Sequence, residues 1–368
     1  MPNRLQQLHA QGQSIWLDFI DRTILKNGEL ARRMRDDALT GVTSNPTIFE
    51  KALAEGSAYD EQLSSLSGEA LEPAAVFEAV ETDDVRAACD ILRPVYDATE
   101  GQDGFVSIEV SPGVANDTAG TLVEARRLWK TVGRPNVMVK VPGTDSGAVA
   151  VRQLIAEGVN VNITLLFSLE AYGKVIVAYQ NGLADRVKAG QPVQRVASVA
   201  SFFVSRVDTE VDKRLDAKGP SVAHLKGKAA VANAKLAYGL FLERFAGPAW
   251  ETLRGAGARV QRPLWASTSA KNPAYRDVMY VEDLIGPDTV NTMPPATIDA
   301  FRDHGEVART VDRDLAGERR FIAELEAAGV SMQDVTKTLL VDGLASFQKS
   351  FDTLLGRLEH KTRVVAAR

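Results

Sequence analysis

The chain has 368 residues, 45% of them hydrophobic, and a formal net charge of −5. That is ample for a large core, and it excludes general affinity for nucleic acid or anionic membranes while permitting a local basic pocket. A single cysteine, Cys89, excludes an intrachain disulfide and fits a reducing, cytoplasmic setting.

The opening MPNRLQQLHAQGQ has no apolar signal-peptide core. No apolar run approaches the roughly 18 residues that span a bilayer. His9, His224, His304 and His360 are scattered, with no metal-ligand spacing, and neither a P-loop nor a dinucleotide fingerprint is present. Short apolar runs then alternate with long amphipathic stretches, the mark of repeated β-α units. Eight strands are predicted: Ser14–Ile20, Gly41–Pro46, Phe105–Val110, Val137–Pro142, Val161–Phe167, Gln194–Val204, Arg262–Ser269 and Thr289–Met293. Eight is the number that closes a (β/α)8 TIM barrel. Segments 47–104 and 205–261 are longer than one helix requires. Additional helices are expected there, at the N-terminus and at the C-terminus, within one domain spanning 1–368. Near the end, Leu340, Leu344, Phe347, Phe351, Leu354 and Leu358 recur at intervals of three and four, one buried helix face. Ser331, three residues before Asp334, is its predicted start signal. No exposed apolar stripe points to an oligomeric state.

Strands of a parallel barrel are buried on both faces and should read as almost continuously apolar. Here polar residues interrupt them with a period of two. In FVSIEV, Val106, Ile108 and Val110 share one face and Ser107 and Glu109 the other. In VMVKVP, Val139 and Val141 oppose Met138 and Lys140. In SIWLDFI, Trp16 and Asp18 alternate with Ile15, Leu17 and Phe19, and in the fifth strand Asn160, Asn162 and Thr164 alternate with Val161, Ile163 and Leu165. The apolar faces suit packing under helices. The other faces place Asp18, Glu109, Lys140, Asn162 and Thr164 inside the barrel, mostly toward the C-terminal strand ends where sites of this architecture lie. A lone Lys–Glu pair could be a buried ion pair without chemistry. Five convergent polar residues favour a functional site, because buried charge is costly.

A lysine in this position serves as a general base or as a nucleophile that forms an imine with a carbonyl. Both uses need the neutral amine. Desolvation by Met138 and the barrel wall favours that form, while Asp18 and Glu109 oppose it. Imine chemistry requires several proton transfers, which Glu109 could shuttle, through a water held by Thr164. Asp18 could take and return a substrate hydroxyl proton. Asn45 and Asn162 can bond substrate hydroxyls without adding charge. Ser201 and Arg206, in SFFVSR, suit a phosphate, and Lys271, after the seventh strand, is a second cation at the rim.

WLD (Trp16–Asp18), GVTSNPTIFEKA (Gly41–Ala52), VSIEVSP, VMVKVPGT, NVNITLLFS (Asn160–Ser168) and SFFVSR (Ser201–Arg206) resemble the transaldolase family. The likeness runs from WLDFI through TVNTMPPAT. It implies a barrel of the class I aldolase type, with Lys140 as the Schiff-base lysine that captures the C2 carbonyl of a ketose phosphate. Asp18 would act at the C4 hydroxyl, and Glu109 with Thr164 would handle imine formation and hydrolysis. Asn45 and Asn162 would hold the dihydroxyacetone unit, and Ser201 and Arg206 the sugar phosphate. The implied reaction moves a three-carbon unit between fructose 6-phosphate or sedoheptulose 7-phosphate and an aldose phosphate, in the non-oxidative pentose phosphate pathway, with no metal or organic cofactor. The segment ASTSAKNP resembles the longer bacterial branch. The shorter branch carries an arginine soon after the Ala-Ser of the seventh strand, whereas this segment has Ser269 and then Lys271, and the expected phosphate set extends to Ser267 and Lys271. An aldolase that releases the three-carbon unit to water, and a barrel that only binds phosphosugars, are the alternatives.

Overall fold

The computed structural model describes residues 2–54, 56–67 and 71–366. Eight parallel strands close into a barrel in sequence order. They are β1 (Gln13–Leu17), β2 (Leu39–Val42), β3 (Phe105–Glu109), β4 (Val137–Pro142), β5 (Val161–Leu166), β6 (Ser198–Phe203), β7 (Arg262–Ala266) and β8 (Thr289–Met293). This is the (β/α)8 barrel expected from the repeated β-α pattern.

β4 and β8 have the boundaries read from the sequence; several other strands are shorter. β1 stops at Leu17, although the Asp18 N–H still donates to the Met293 carbonyl across the β1–β8 edge at 2.8 Å. β2 ends at Val42, and Pro46 opens the helix Pro46–Ala54, a position where its missing N–H costs nothing. β6 begins at Ser198, after the turn that carries Gln194. β7 ends at Ala266 because Ser267 turns the chain with a φ of 57°. These early endings put polar residues in the loops above the strands, at the C-terminal rim.

Both long segments contain extra helices. Pro46–Ala54, Asp60–Ser67 and Pro73–Ala98 lie between β2 and β3, and Ser205–Asp216, Ala229–Arg244 and Pro248–Gly255 between β6 and β7. At the N-terminus, Arg4–Ala10 begins with a capping box between Asn3 and Gln6. The final helix, Met332–Ala366, starts as the Ser331 and Asp334 pattern predicts, with the Asp334 N–H donating to Ser331 Oγ at 3.4 Å. It packs against Pro46–Ala54 and crosses the rim. Thr47 Oγ1 donates to Ser350 Oγ at 2.9 Å. A Cβ on Gly343 would lie 3.0 Å from Leu165 Cδ2 and 3.8 Å from Arg206 Nη1. Among the described residues no helix is long and apolar enough to cross a membrane.

The outward strand residues Ile15, Val106, Ile108, Val139, Val141 and Ile163 are fully buried under the helices. The interior is polar even at the N-terminal end. There Trp16 Nε1 donates to Asp103 Oδ1 at 2.8 Å, and Arg262 reaches Ser14 Oγ at 2.6 Å and Asp103 at 3.5 Å. Trp16 fits only because Gly41, its partner in the β1–β2 register, has no side chain; a Cβ there would meet the indole at 2.5 Å. Gly41→Ala is therefore expected to overpack this layer and cost about 2 kcal/mol. The reading is a lower urea midpoint at unchanged m value.

Candidate active site

Register brings the first pair together. β3 and β4 are aligned so that Glu109 faces Lys140 on neighbouring strands, and Lys140 in turn faces Asn162 on β5. Lys140 Nζ lies 3.0 Å from Glu109 Oε2 and donates to the Ser44 carbonyl at 2.9 Å. The two side chains are among the most deeply buried charges, with Lys140 5% and Glu109 7% exposed. Burial raises the Glu109 carboxyl above its ordinary range, the Lys140 ammonium pulls it back, and Asp18 adds to the rise.

Asp18 sits just beyond β1. Loss of water raises its carboxyl above the usual range. Lys140, the hydroxyl of Thr43 (2.7 Å from Oδ1), Lys271 and Arg206 all act against that rise. Thr43 Oγ1 also lies 2.7 Å from Thr292 Oγ1 at the end of β8. Asp18 is thus held from β2 and β8 while facing Lys140.

A chain of neutral groups crosses the floor. Ser201 Oγ donates to Asn162 Oδ1 at 2.7 Å, and Asn162 Nδ2 donates to Ser107 Oγ at 2.9 Å. The Ser107 carbonyl accepts from Ser44 Oγ at 2.8 Å. Each partner fixes the next, so the Asn162 amide has one orientation. Thr164 follows on the same face of β5. Its Oγ1 is buried without a hydrogen-bond partner among the described residues, and the next residue, Leu165, takes a φ of 58°. Asn45 caps the helix Pro46–Ala54, accepting from the Ile48 N–H at 3.0 Å, which leaves its amide nitrogen for other use.

The cations lie at the rim. Arg206 is in the first turn of Ser205–Asp216, and its guanidinium stands 5.2 Å over the Phe203 ring. It is partly buried, and no hydrogen bond or ion pair joins it to any described residue. Burial lowers its pKa, and Asp18 counteracts this. Lys271 is exposed and donates to Ser269 Oγ at 2.7 Å. Its pKa is lowered by partial burial and then by the charge of Arg206, Asp18 opposing. Ser267 pairs with Ser205, Oγ to Oγ 2.9 Å.

The residues predicted from sequence therefore form two groups, Lys140, Glu109, Asp18, Asn162, Thr164 and Ser201 within the barrel and Arg206, Lys271 and Ser267 at the rim, with Asn45 in the loop that follows β2. Ser201 is joined to Asn162 by its hydroxyl. Sequence reasoning passed over Thr43 and Thr292, which hold Asp18, over the Ser44 carbonyl, and over Ser205. The polar run Thr43–Ser44–Asn45 directly after an apolar strand was the available signal. Among the described residues, no group of three or more His, Cys, Asp or Glu is placed to hold a metal ion.

A closed eight-stranded barrel with a buried lysine between two carboxyls and a cationic rim is the framework of an enzyme acting on small, oxygen-rich anions. The family model described as Transaldolase/Fructose-6-phosphate aldolase matches residues 15–358. A transaldolase of Thermobifida fusca is 49% identical over 97% of this chain and 98% of its own length. One of Parafrankia sp. is 47% identical over 98% of both chains, and transaldolase 2 of Nostoc sp. is 45% identical over 99% of both. The chain belongs to the transaldolase/fructose-6-phosphate aldolase family.

Thr43→Val removes a hydrogen bond that favours the Asp18 carboxylate. The sign follows: the Asp18 pKa is expected to rise further, visible as an upward-shifted midpoint for its carboxyl carbon in an NMR pH titration.

Proposed function

We propose that Lys140 is the nucleophile through which this enzyme performs the transaldolase reaction of its family. The reaction moves a dihydroxyacetone unit between sedoheptulose 7-phosphate/glyceraldehyde 3-phosphate and erythrose 4-phosphate/fructose 6-phosphate, in the non-oxidative pentose phosphate pathway. The single observation that carries the assignment is the buried Lys140–Glu109 contact at 3.0 Å. A proton moving from Nζ to Glu109 leaves a neutral amine and a carboxylic acid in place, without exposing either to water. The raised proton affinity of Glu109 supports that transfer.

The amine adds to C2 of the ketose phosphate. Glu109 then protonates the carbinolamine hydroxyl, which leaves as water while the C=N⁺ bond forms. Thr164, with its unpartnered hydroxyl nearby, orients that water. Asp18 takes the C4 hydroxyl proton as the C3–C4 bond breaks, its electrons flowing into the iminium. The aldose phosphate leaves, the acceptor enters, and the steps reverse. Asn45, Asn162 and Ser201 hold the dihydroxyacetone hydroxyls, Asn162 and Ser201 as an already ordered pair. Arg206, Lys271 and Ser267 bind the phosphate. Arg206 and Lys271 repel one another until an anion lies between them, and the first turn of Ser205–Asp216 adds a favourable helix dipole. The whole chain acts as one barrel domain, its extra helices framing the mouth, and works without a metal or organic cofactor.

Borohydride reduction with fructose 6-phosphate is expected to place a three-carbon or six-carbon adduct on the peptide that contains Lys140. Lys140→Ala should lose both adduct and turnover while remaining folded by circular dichroism. Substantial turnover in that variant would sink the mechanism. Erythrose 4-phosphate should accelerate consumption of fructose 6-phosphate strongly; equal rates without it would identify an aldolase instead. Arg206→Ala should raise KM for fructose 6-phosphate about tenfold or more with a smaller change in kcat, because it binds a non-reacting group.

A further inference from the structure

Glu81 lies on the buried face of the Pro73–Ala98 helix, in line with Phe77, Val80 and Val85. It is 4% exposed, and no hydrogen bond or ion pair joins it to any described residue. A carboxyl placed this way costs stability and packs no better than leucine would. Burial raises its proton affinity well above the ordinary range, Glu109 and Glu78 add to the rise, Lys140 opposes it and Asp84 adds a little. Its surroundings therefore favour the protonated form.

Behind Glu109 is a cavity of about 170 Å³, lined by both Glu81 and Glu109 and by Ser111, Glu124 and Arg127. It reaches the surface at Arg127, which is half exposed and paired with Glu78 at 2.8 Å. Glu124 is occupied, accepting from the Ser111 N–H and hydroxyl at 2.8 Å each. Apolar side chains, Phe77, Leu128 and Phe351 among them, form the larger part of its wall, the carboxyls supply hydrogen-bond partners, and there is room for about five waters. It approaches Glu109 from the helix layer, whereas substrate reaches Lys140 from the barrel mouth. A ketose phosphate over Lys140 blocks the mouth, yet imine formation must expel one water and hydrolysis must admit one.

We propose that this cavity is a second route to the reacting centre, with Glu81 the acid that passes protons between its water and Glu109. The inference rests on the reading of Lys140 as the imine-forming lysine and Glu109 as its proton-transfer partner. When the carbinolamine hydroxyl leaves, the C–O bond breaks, the nitrogen lone pair forms C=N⁺, and the Glu109 proton departs in the new water. Glu109 is left a carboxylate. Glu81 gives its proton to a cavity water, which gives one to Glu109, and Glu81 is refilled from solvent at the Arg127 end. Hydrolysis runs the same transfers in reverse and consumes one water. Glu81 acts through Glu109 and does not touch substrate.

The test uses fructose 6-phosphate labelled with ¹⁸O at C2, without acceptor, and follows loss of label to water by mass spectrometry. Exchange requires imine formation and hydrolysis but no C–C cleavage. Glu81→Gln is expected to slow it about tenfold or more, the low end of what a proton-transfer group contributes. KM and the final extent of borohydride labelling at Lys140 should stay within about twofold, and Glu81→Asp should recover part of the rate. Glu81→Leu should melt at a higher temperature than the native protein, having lost an unpaired buried carboxyl, while exchanging label no faster than Glu81→Gln. Exchange at the native rate in Glu81→Gln, or in Glu81→Leu if the former does not fold, overturns the proposal. Failure of the native protein to be labelled at Lys140 overturns the imine reading itself, a distinct outcome.

Discussion

The register between β3 and β4 is the constraint on which the site depends. It sets Glu109 opposite Lys140 and Lys140 opposite Asn162. Because side chains alternate along a strand, a slip of one residue would turn Lys140 into the helix layer and bring Val139 or Val141 inside. The alternation that buries Val139 and Val141 under the helices is therefore the same one that aims the amine. Packing energy from the aliphatic faces holds in place a buried ion pair that contributes little stability by itself.

The barrel interior follows from that pair. Small barrels usually fill their centre with layers of branched aliphatic side chains. This one mixes hydrogen-bonded polar groups with the buried side chains of Trp16 and Met138. Trp16, Asp103, Ser14 and Arg262 close the N-terminal end, Ser107, Asn162 and Ser201 form the floor, and Thr43 and Thr292 brace Asp18. Such networks are worthwhile only when their members are satisfied. Exceptions occur both away from the site, as at Gln13, Asn136 and Tyr172, and near Lys140, where the Thr164 hydroxyl has no hydrogen-bond partner among the described residues.

Much of this could be read from the sequence, for a specific reason. Period two is unambiguous when aliphatic residues mark one face, so Glu109, Lys140, Asn162 and Thr164 were placed inside from the strands alone. Asp18 was placed correctly although β1 ends one residue earlier, because its N–H continues the ladder to β8. The loops were less legible. Nothing in the TSN run says that Thr43 would brace Asp18 or that the Ser44 carbonyl would accept from Lys140, since loops have no fixed period. Ser201 and Arg206 are close in sequence, yet Ser201 lies inside β6, where it bonds Asn162, while Arg206 is in the first turn of the next helix. Glu81 left a signal that was not used: an acid, like Asp84, among the apolar residues of the buried helix face.

The last helix gives the molecule an order of assembly. Its Gly343 lies against Leu165 and Arg206, and its Ser350 bonds Thr47, far earlier in the chain. The barrel itself cannot close until β8 has left the ribosome to pair with β1. Chains fold from the N-terminus as they are made, so Lys140, Glu109 and Asp18 are all synthesised well before the rim above them is complete. Lys140 is thus paired with Glu109 on neighbouring strands early, and the rim above it is complete only after the last helix, Met332–Ala366, has docked.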